Sequence, residues 1–222
     1  YYLGCLYYDR FRYDEAAECF ENCVRINPEH GSAWRNLALY LFDKKHDGKK
    51  ALYCMENALK YRPHDPRLLL EYEQLLKNMN VSIEKRLAVY DEYPELLKKR
   101  DDCYLDKLTL LSQQGKYEEA INMAAVKHFH IYEGGEGKLT KQHAWMHVLY
   151  GNELVNKGNT EKAEQIFING INMPKSYGEA KTFFNQEAHI YYYLSKLYTG
   201  VKRTAALEKA AEYKAAVSEI SL

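Results

Sequence analysis

Apolar residues recur three and four positions apart along almost the whole chain, in short stretches separated by polar turns. Ala16, Phe20 and Cys23 stand at i, i+4 and i+7 and predict one stripe of a helix. Leu3 and Tyr7 lie one turn apart and share a face of the stretch before it. Gly4 removes a side chain where the second helix must approach. Tyr13-Asp14-Glu15 opens that second helix, with its acids near the positive N-terminal end. Pro28 follows and prevents continuation. The phrase then returns as Trp34, Leu37, Ala38 and Leu41, followed by Ala51, Met55, Ala58 and Pro63. It carries one extra residue at the Asp47-Gly48 turn.

Four alanines hold one place in this phrase: Ala16, Ala51, Ala120 and Ala163, at intervals of 35, 69 and 43 residues. The second interval is almost twice a unit of about 34, the spacing of stacked helical hairpins. The third unit is degenerate. Pro66 to Met79 is predicted as a helix, Ser82 as the cap of a helix from Ile83 to Tyr90, and Pro94 as its end. Lys85 or Arg86 stands there in place of the small residue, so packing must differ. Tyr104, Leu108, Leu111, Tyr117, Ala120 and Ala124 form a fourth unit, and Tyr150, Gly151, Leu154, Ala163 and Phe167 a fifth. A sixth begins near Ala188 and ends in an Ala-rich helix from about Arg203 to Glu219, without an obvious polar cap. The predicted fold is all-α: a single domain, 1–222, forming a solenoid of about six antiparallel helix hairpins. The units fall at about 1–30, 31–65, 66–99, 100–140, 141–180 and 181–222. Two spacings are stretched, by inserts at 127–140 and 173–181.

The spacing of Leu3, Gly4, Tyr7, Ala16, Phe20 and Pro28 resembles a tetratricopeptide repeat. The resemblance implies a right-handed superhelix whose first helices line a concave, peptide-binding side. Projected onto this chain, the groove positions are Tyr8, Arg35, Asn36, Leu39 and Phe42, then Arg67 and Glu71. Later units add Leu105, Thr109, Trp145, Asn152, His189, Tyr192 and Lys196. Arg35, Asn36 and Arg67 suggest the carboxylate clamp of chaperone-binding relatives. That match is partial. Cys5 stands where the clamp expects Asn, and Glu71 replaces a base and repels an anion. Otherwise the two arginines belong to a solvated helix face.

Composition narrows the partners. The charges balance, 31 acidic against 31 basic residues, without the excess or stripe of a nucleic-acid binder. No apolar run reaches the roughly 18–20 residues that cross a bilayer. The first residue is not Met and the chain opens inside a repeat, so a piece of a longer protein is expected. The five cysteines sit at helix positions that suit small apolar residues, and point to reduced thiols and a cytoplasmic setting. Tyr is abundant, 21 of 222, and suits half-wet helix seams, burying a ring while its hydroxyl meets water.

Candidate chemistry concentrates around the first insert. Three glycines precede Lys138, but Tyr132 and Leu139 break the phosphate-loop pattern. Glu133, Glu136 and Lys138 remain as insert candidates. His143 and His147 stand one helical turn apart without the Glu of a zinc-protease motif, so His147 is expected to pack and His143 to be solvated. No nucleophile–base arrangement stands out, and no cofactor or metal is implied. The phrase from His128 to Lys138 resembles repeat regions of large bacterial proteins, where they follow a domain similar to sugar-active enzymes. The expected function is a non-catalytic scaffold for a protein or peptide partner, or for another domain of the same chain. The alternatives are a docking arm of a carbohydrate-active protein, with Trp145, Tyr192 or Tyr132 as sugar platform, and a self-assembly module.

Overall fold

A computed structural model describes residues 1–130, 135–178 and 187–220, with side chains up to Tyr213. Among the described residues there are thirteen α-helices and no strand. The chain divides into two compact units, Tyr1–Cys103 and Tyr104–Leu222.

The first unit holds α1 (Tyr2–Asp9), α2 (Tyr13–Ile26), α3 (Gly31–Asp43), α4 (Gly48–Tyr61), α5 (Pro66–Asn78), α6 (Ile83–Glu92) and α7 (Pro94–Lys98). Helices α1 and α2 pair, as do α3 and α4, and each pair packs on the next. The repeat phrase dictates this directly. Ala16 and Ala51 are both 0% exposed, so each helix crossing closes over a single methyl group. A Cβ on Gly4 would sit 2.7 Å from the ring of Phe20, which is why that position carries no side chain. The Asp47 side chain accepts from the Lys50 amide and starts α4 at the one-residue slip.

The degenerate third unit departs from expectation at two points. Ser82 occupies the cap position, but its side chain makes no capping bond. Pro94 opens the extra helix α7, because proline fits a first helical turn where no amide partner is needed. Leu96 and Leu97 of α7 are buried, and the helix packs on α5 and α6. Packing does differ at the basic position: Arg86 is buried and ion-paired with the equally buried Glu73 of α5.

The second unit takes in most of α8 (Asp101–Gln113), then α9 (Tyr117–Ala125), α10 (Lys138–Asn156), α11 (Thr160–Ile171), a 3₁₀ turn at Lys175–Tyr177, α12 (Glu187–Leu197) and α13 (Gly200–Ile220). Ala120 and Ala163 are again 0% exposed. Gly151 repeats the role of Gly4, since a Cβ there would lie 2.4 Å from Phe167. Helix α10 packs on α9, α11 and α12, and α12 packs on α13, which starts slightly before the predicted Arg203.

Tyrosine hydroxyls join successive hairpins within each unit. Tyr40 of α3 donates to Asp14 of α2 at 2.5 Å, and Tyr150 of α10 donates to Glu118 of α9 at 2.8 Å. Both carboxylates stand two residues before the repeat alanine. Each also meets a lysine: Lys45 at Asp14 and Lys162 at Glu118. Tyr72 to Glu56 and Tyr198 to Glu164 follow the same theme. The rings bury apolar area while the hydroxyls find acids at the seam, which accounts for part of the tyrosine content. The thiols are less uniform than predicted: Cys54 and Cys103 are buried, whereas Cys5, Cys19 and Cys23 are partly exposed.

Candidate functional site

The groove positions of the first unit come together. Helices α1 and α3 wall a hollow of about 240 Å³ lined by Cys5, Tyr8, Asp9, Arg35, Asn36 and Leu39. Helices α3 and α5 wall a second, of about 220 Å³, with Leu39, Phe42 and Leu75 against Asp43, Glu71 and Gln74. Leu39 belongs to both, so the hollows are neighbours. Each is smaller than the roughly 300–1,000 Å³ of drug-sized ligand pockets, and suits a side chain.

The arginines are already engaged. Arg35 grips Glu71 with Nε and Nη2, both at 2.6 Å, and its Nη1 donates to Asn36 Oδ1 at 3.0 Å. Arg67 donates to the same carboxylate at 2.8 Å. The hydrogen bonds that Arg35 donates to Glu71 raise its pKa against the opposing effect of burial. Arg35 is therefore not on a solvated face: its side chain is 18% exposed, held in an internal fork, while that of Arg67 is 62% exposed. Glu71 thus takes up the donors of both arginines. Asn36 is turned toward Cys5, its amide 3.7 Å from the sulfur.

Asp9 and Asp43 are groove residues that sequence reasoning passed over. They stand one helical turn beyond Cys5 and Leu39, which is the signal that could have found them. Both are exposed, and neither forms an ion pair with a described residue.

In the second unit, Trp145 of α10 and His189 of α12 meet with ring centroids 5.4 Å apart. Tyr192 is exposed, with the Lys196 ammonium 4.6 Å over its ring, and Asn152 is partly buried. Leu105 is buried, and Thr109 donates to Gln142, so neither stands free for a ligand. Tyr132 and Glu133 lie outside the described residues. Glu136 and Lys138 are exposed at the start of α10, where Gly137 takes a left-handed φ of 73°.

The two inserts meet each other. The Phe129 amide donates to the Ser176 carbonyl at 3.0 Å, and the Phe129 and Tyr177 rings lie edge to face at 5.4 Å. Tyr177 in turn covers His143, ring to ring at 5.3 Å, with its hydroxyl 3.2 Å from Nδ1. This overturns the expectation of a solvated His143, which is only 4% exposed because the second insert folds over it. His147 is buried too, and donates from Nδ1 to the His143 carbonyl at 2.8 Å. Burial, and then the neighbouring His147, push His143 down to about 3, so the ring is neutral near pH 7. Among the described residues no cluster of His, Cys, Asp and Glu could hold a metal ion, and no helix is long and apolar enough to cross a membrane.

Residues 1–30 match the family model of the tetratricopeptide repeat. An 88-residue stretch is 28% identical to the peroxisomal targeting signal receptor of Saccharomyces cerevisiae, covering 40% of this chain and 14% of that protein's length. The fold is similar to that of YrrB, a TPR protein with an unusual peptide-binding site: 18% identity, TM-score 0.50, 76% of this chain and 81% of the other. It is also similar to a tetratricopeptide repeat protein from Parabacteroides merdae, at 16% identity and TM-score 0.53, over 98% of this chain and 75% of the other.

Proposed function

Because residues 1–30 match the tetratricopeptide repeat and the fold is similar to that of tetratricopeptide repeat proteins, we propose that the chain serves as a non-catalytic scaffold that binds a protein or peptide segment along the α1, α3 and α5 face. The observation that carries the reading is the pair of side-chain-sized hollows sharing Leu39. They stand at the positions the repeat pattern assigns to a groove. An extended peptide places alternate side chains on one side, and two adjacent hollows match that demand. YrrB, which shares the fold, is described as having a peptide-binding site, and the yeast relative is a targeting-signal receptor. The balanced charge supports a protein partner over nucleic acid.

The test is selection of binding peptides from a random display library on the 222-residue chain. Selected peptides are then titrated against Leu39→Gln and Phe42→Ser, with helicity checked by circular dichroism. Both variants are expected to weaken binding at least about tenfold, the scale of a well-packed anchor. Equal binding to folded variants and parent would place the partner elsewhere.

A further inference from the structure

We propose that the groove of the first unit is built for a cationic peptide: an apolar side chain seated against Leu39, Phe42 and Leu75, with Lys or Arg beside it facing Asp9 and Asp43. The inference rests on the groove reading above and adds the chemical class of the partner.

Three observations support it. First, Arg35, the arginine that lines the first hollow, and Arg67 converge on Glu71, so a ligand carboxylate at Arg35 would have to displace an internal one held by three hydrogen bonds. Displacement would leave Glu71, whose side chain is 13% exposed, without its partners, a strongly unfavourable exchange. Second, each hollow carries one further acid, Asp9 in the α1–α3 hollow and Asp43 in the α3–α5 hollow. Both are exposed and without a described ion-pair partner, so a ligand cation can reach them without breaking an existing contact. Third, the remaining polar wall of the second hollow is Gln74 and Asn78, neutral groups that reject neither charge but accept hydrogen bonds from an ammonium or guanidinium. Electrostatic complementarity of this kind sets partner choice more than raw affinity.

The experiment uses three fluorescent, end-capped nonapeptides with a central Leu-Phe pair flanked by Lys, Ser or Glu, titrated by anisotropy at low and high salt. The Lys peptide is expected to bind about tenfold tighter than the Glu peptide, and the gap should narrow as salt screens it. Asp9→Asn with Asp43→Asn, both exposed changes that leave helicity intact, should reduce that gap to about twofold or less. The inference is overturned if the Glu peptide binds as well as the Lys peptide, or better, while Leu39→Gln weakens both. The groove reading would survive that result. If Leu39→Gln and Phe42→Ser fold normally and change neither peptide's binding, the groove reading falls and takes the inference with it. Binding by none of the three at about 1 mM, the weak end of useful affinity, also overturns the inference, and the library-selected peptides then decide the groove reading separately.

Discussion

Phe129 and Ser176 are joined by a backbone hydrogen bond of 3.0 Å, although 46 residues separate them in the chain. Each belongs to an insert that stretches the repeat. Together with Tyr177, they turn two interruptions into one local structure that roofs His143. Phe129 and Tyr177 therefore act within the second unit as packing residues, 6% and 2% exposed.

Tyr177→Ala is expected to destabilise the second unit by about 3–5 kcal/mol, the range for truncating a large buried aromatic. Tyr177→Phe retains the ring and loses only the hydroxyl contact with His143, a cost of about 0.5–1.5 kcal/mol. Urea unfolding of both variants checks the ordering. A Tyr177→Ala variant as stable as the parent would mean that the insert contact does not hold in solution.

Ala51→Arg places a long charged side chain at a helix crossing with 0% exposure. The neighbours are Cys54, Met55 and Ala58 on the same helix face, all buried, so the chain has no route to water. Loss of the α3–α4 hairpin and of the stacking on either side is expected, because each repeat depends on its neighbours. Far-ultraviolet circular dichroism should show reduced helicity and a lower melting temperature. Lys49→Arg, an exposed change two residues away, should leave both unchanged.

The repeat was legible because its determinants are local. Small residues at most crossings, glycines facing an aromatic and prolines after several hairpins, such as Pro28, Pro63 and Pro174, all leave marks in one dimension. Gly4 is expected to make room for the second helix; the structure puts Phe20 of that helix there, and Gly151 against Phe167 has the same geometry. That Tyr8, Arg35, Asn36, Leu39 and Phe42 line the two hollows follows from the same local pattern. What stayed hidden was pairing across distance. Glu71 looked like a misplaced charge that repels an anion, yet it is the ligand of Arg35, 36 residues away. Likewise Tyr40 and Asp14 each look ordinary in the sequence, and only the packing of α3 on α2 makes them partners. The burial of His143 depended on an insert with no periodicity of its own, so nothing in the helix pattern could predict it.

The buried pair Arg86–Glu73 replaces the small-residue crossing of the other hairpins. Removing one partner leaves a buried charge. Arg86→Met alone is expected to cost about 3–5 kcal/mol, whereas Arg86→Met with Glu73→Leu should recover most of that loss. A double-mutant cycle in urea measures the coupling. If the single variant is neutral, the pair is wetter than its burial indicates.

Acid should loosen the second unit through its histidines. His143 is pushed down to about 3 by burial and by the neighbouring His147, and burial lowers His147 against the opposing effect of its bond to the His143 carbonyl. Among the described residues, His143 meets the His147 ring, the Tyr177 hydroxyl and the backbone at Asn169 and Gly170, none of them a carboxylate able to stabilise an imidazolium. In the unfolded chain both rings protonate near the ordinary value of about 6.5. Above that pH neither state binds the proton, and the histidines leave stability unchanged. Below it the unfolded state binds more protons, so stability falls as pH drops, by up to about 1.4 kcal/mol per pH unit for each ring. For His143 the window runs from about 6.5 down to about 3. Urea midpoints between pH 7.5 and pH 5, where most carboxylates stay ionised, should show the decline, and His143→Leu should make it shallower. Imidazole resonances followed by NMR should show no titration of His143 in the folded protein over that range; a ring that titrates near pH 6 would mean that Tyr177 does not cover it.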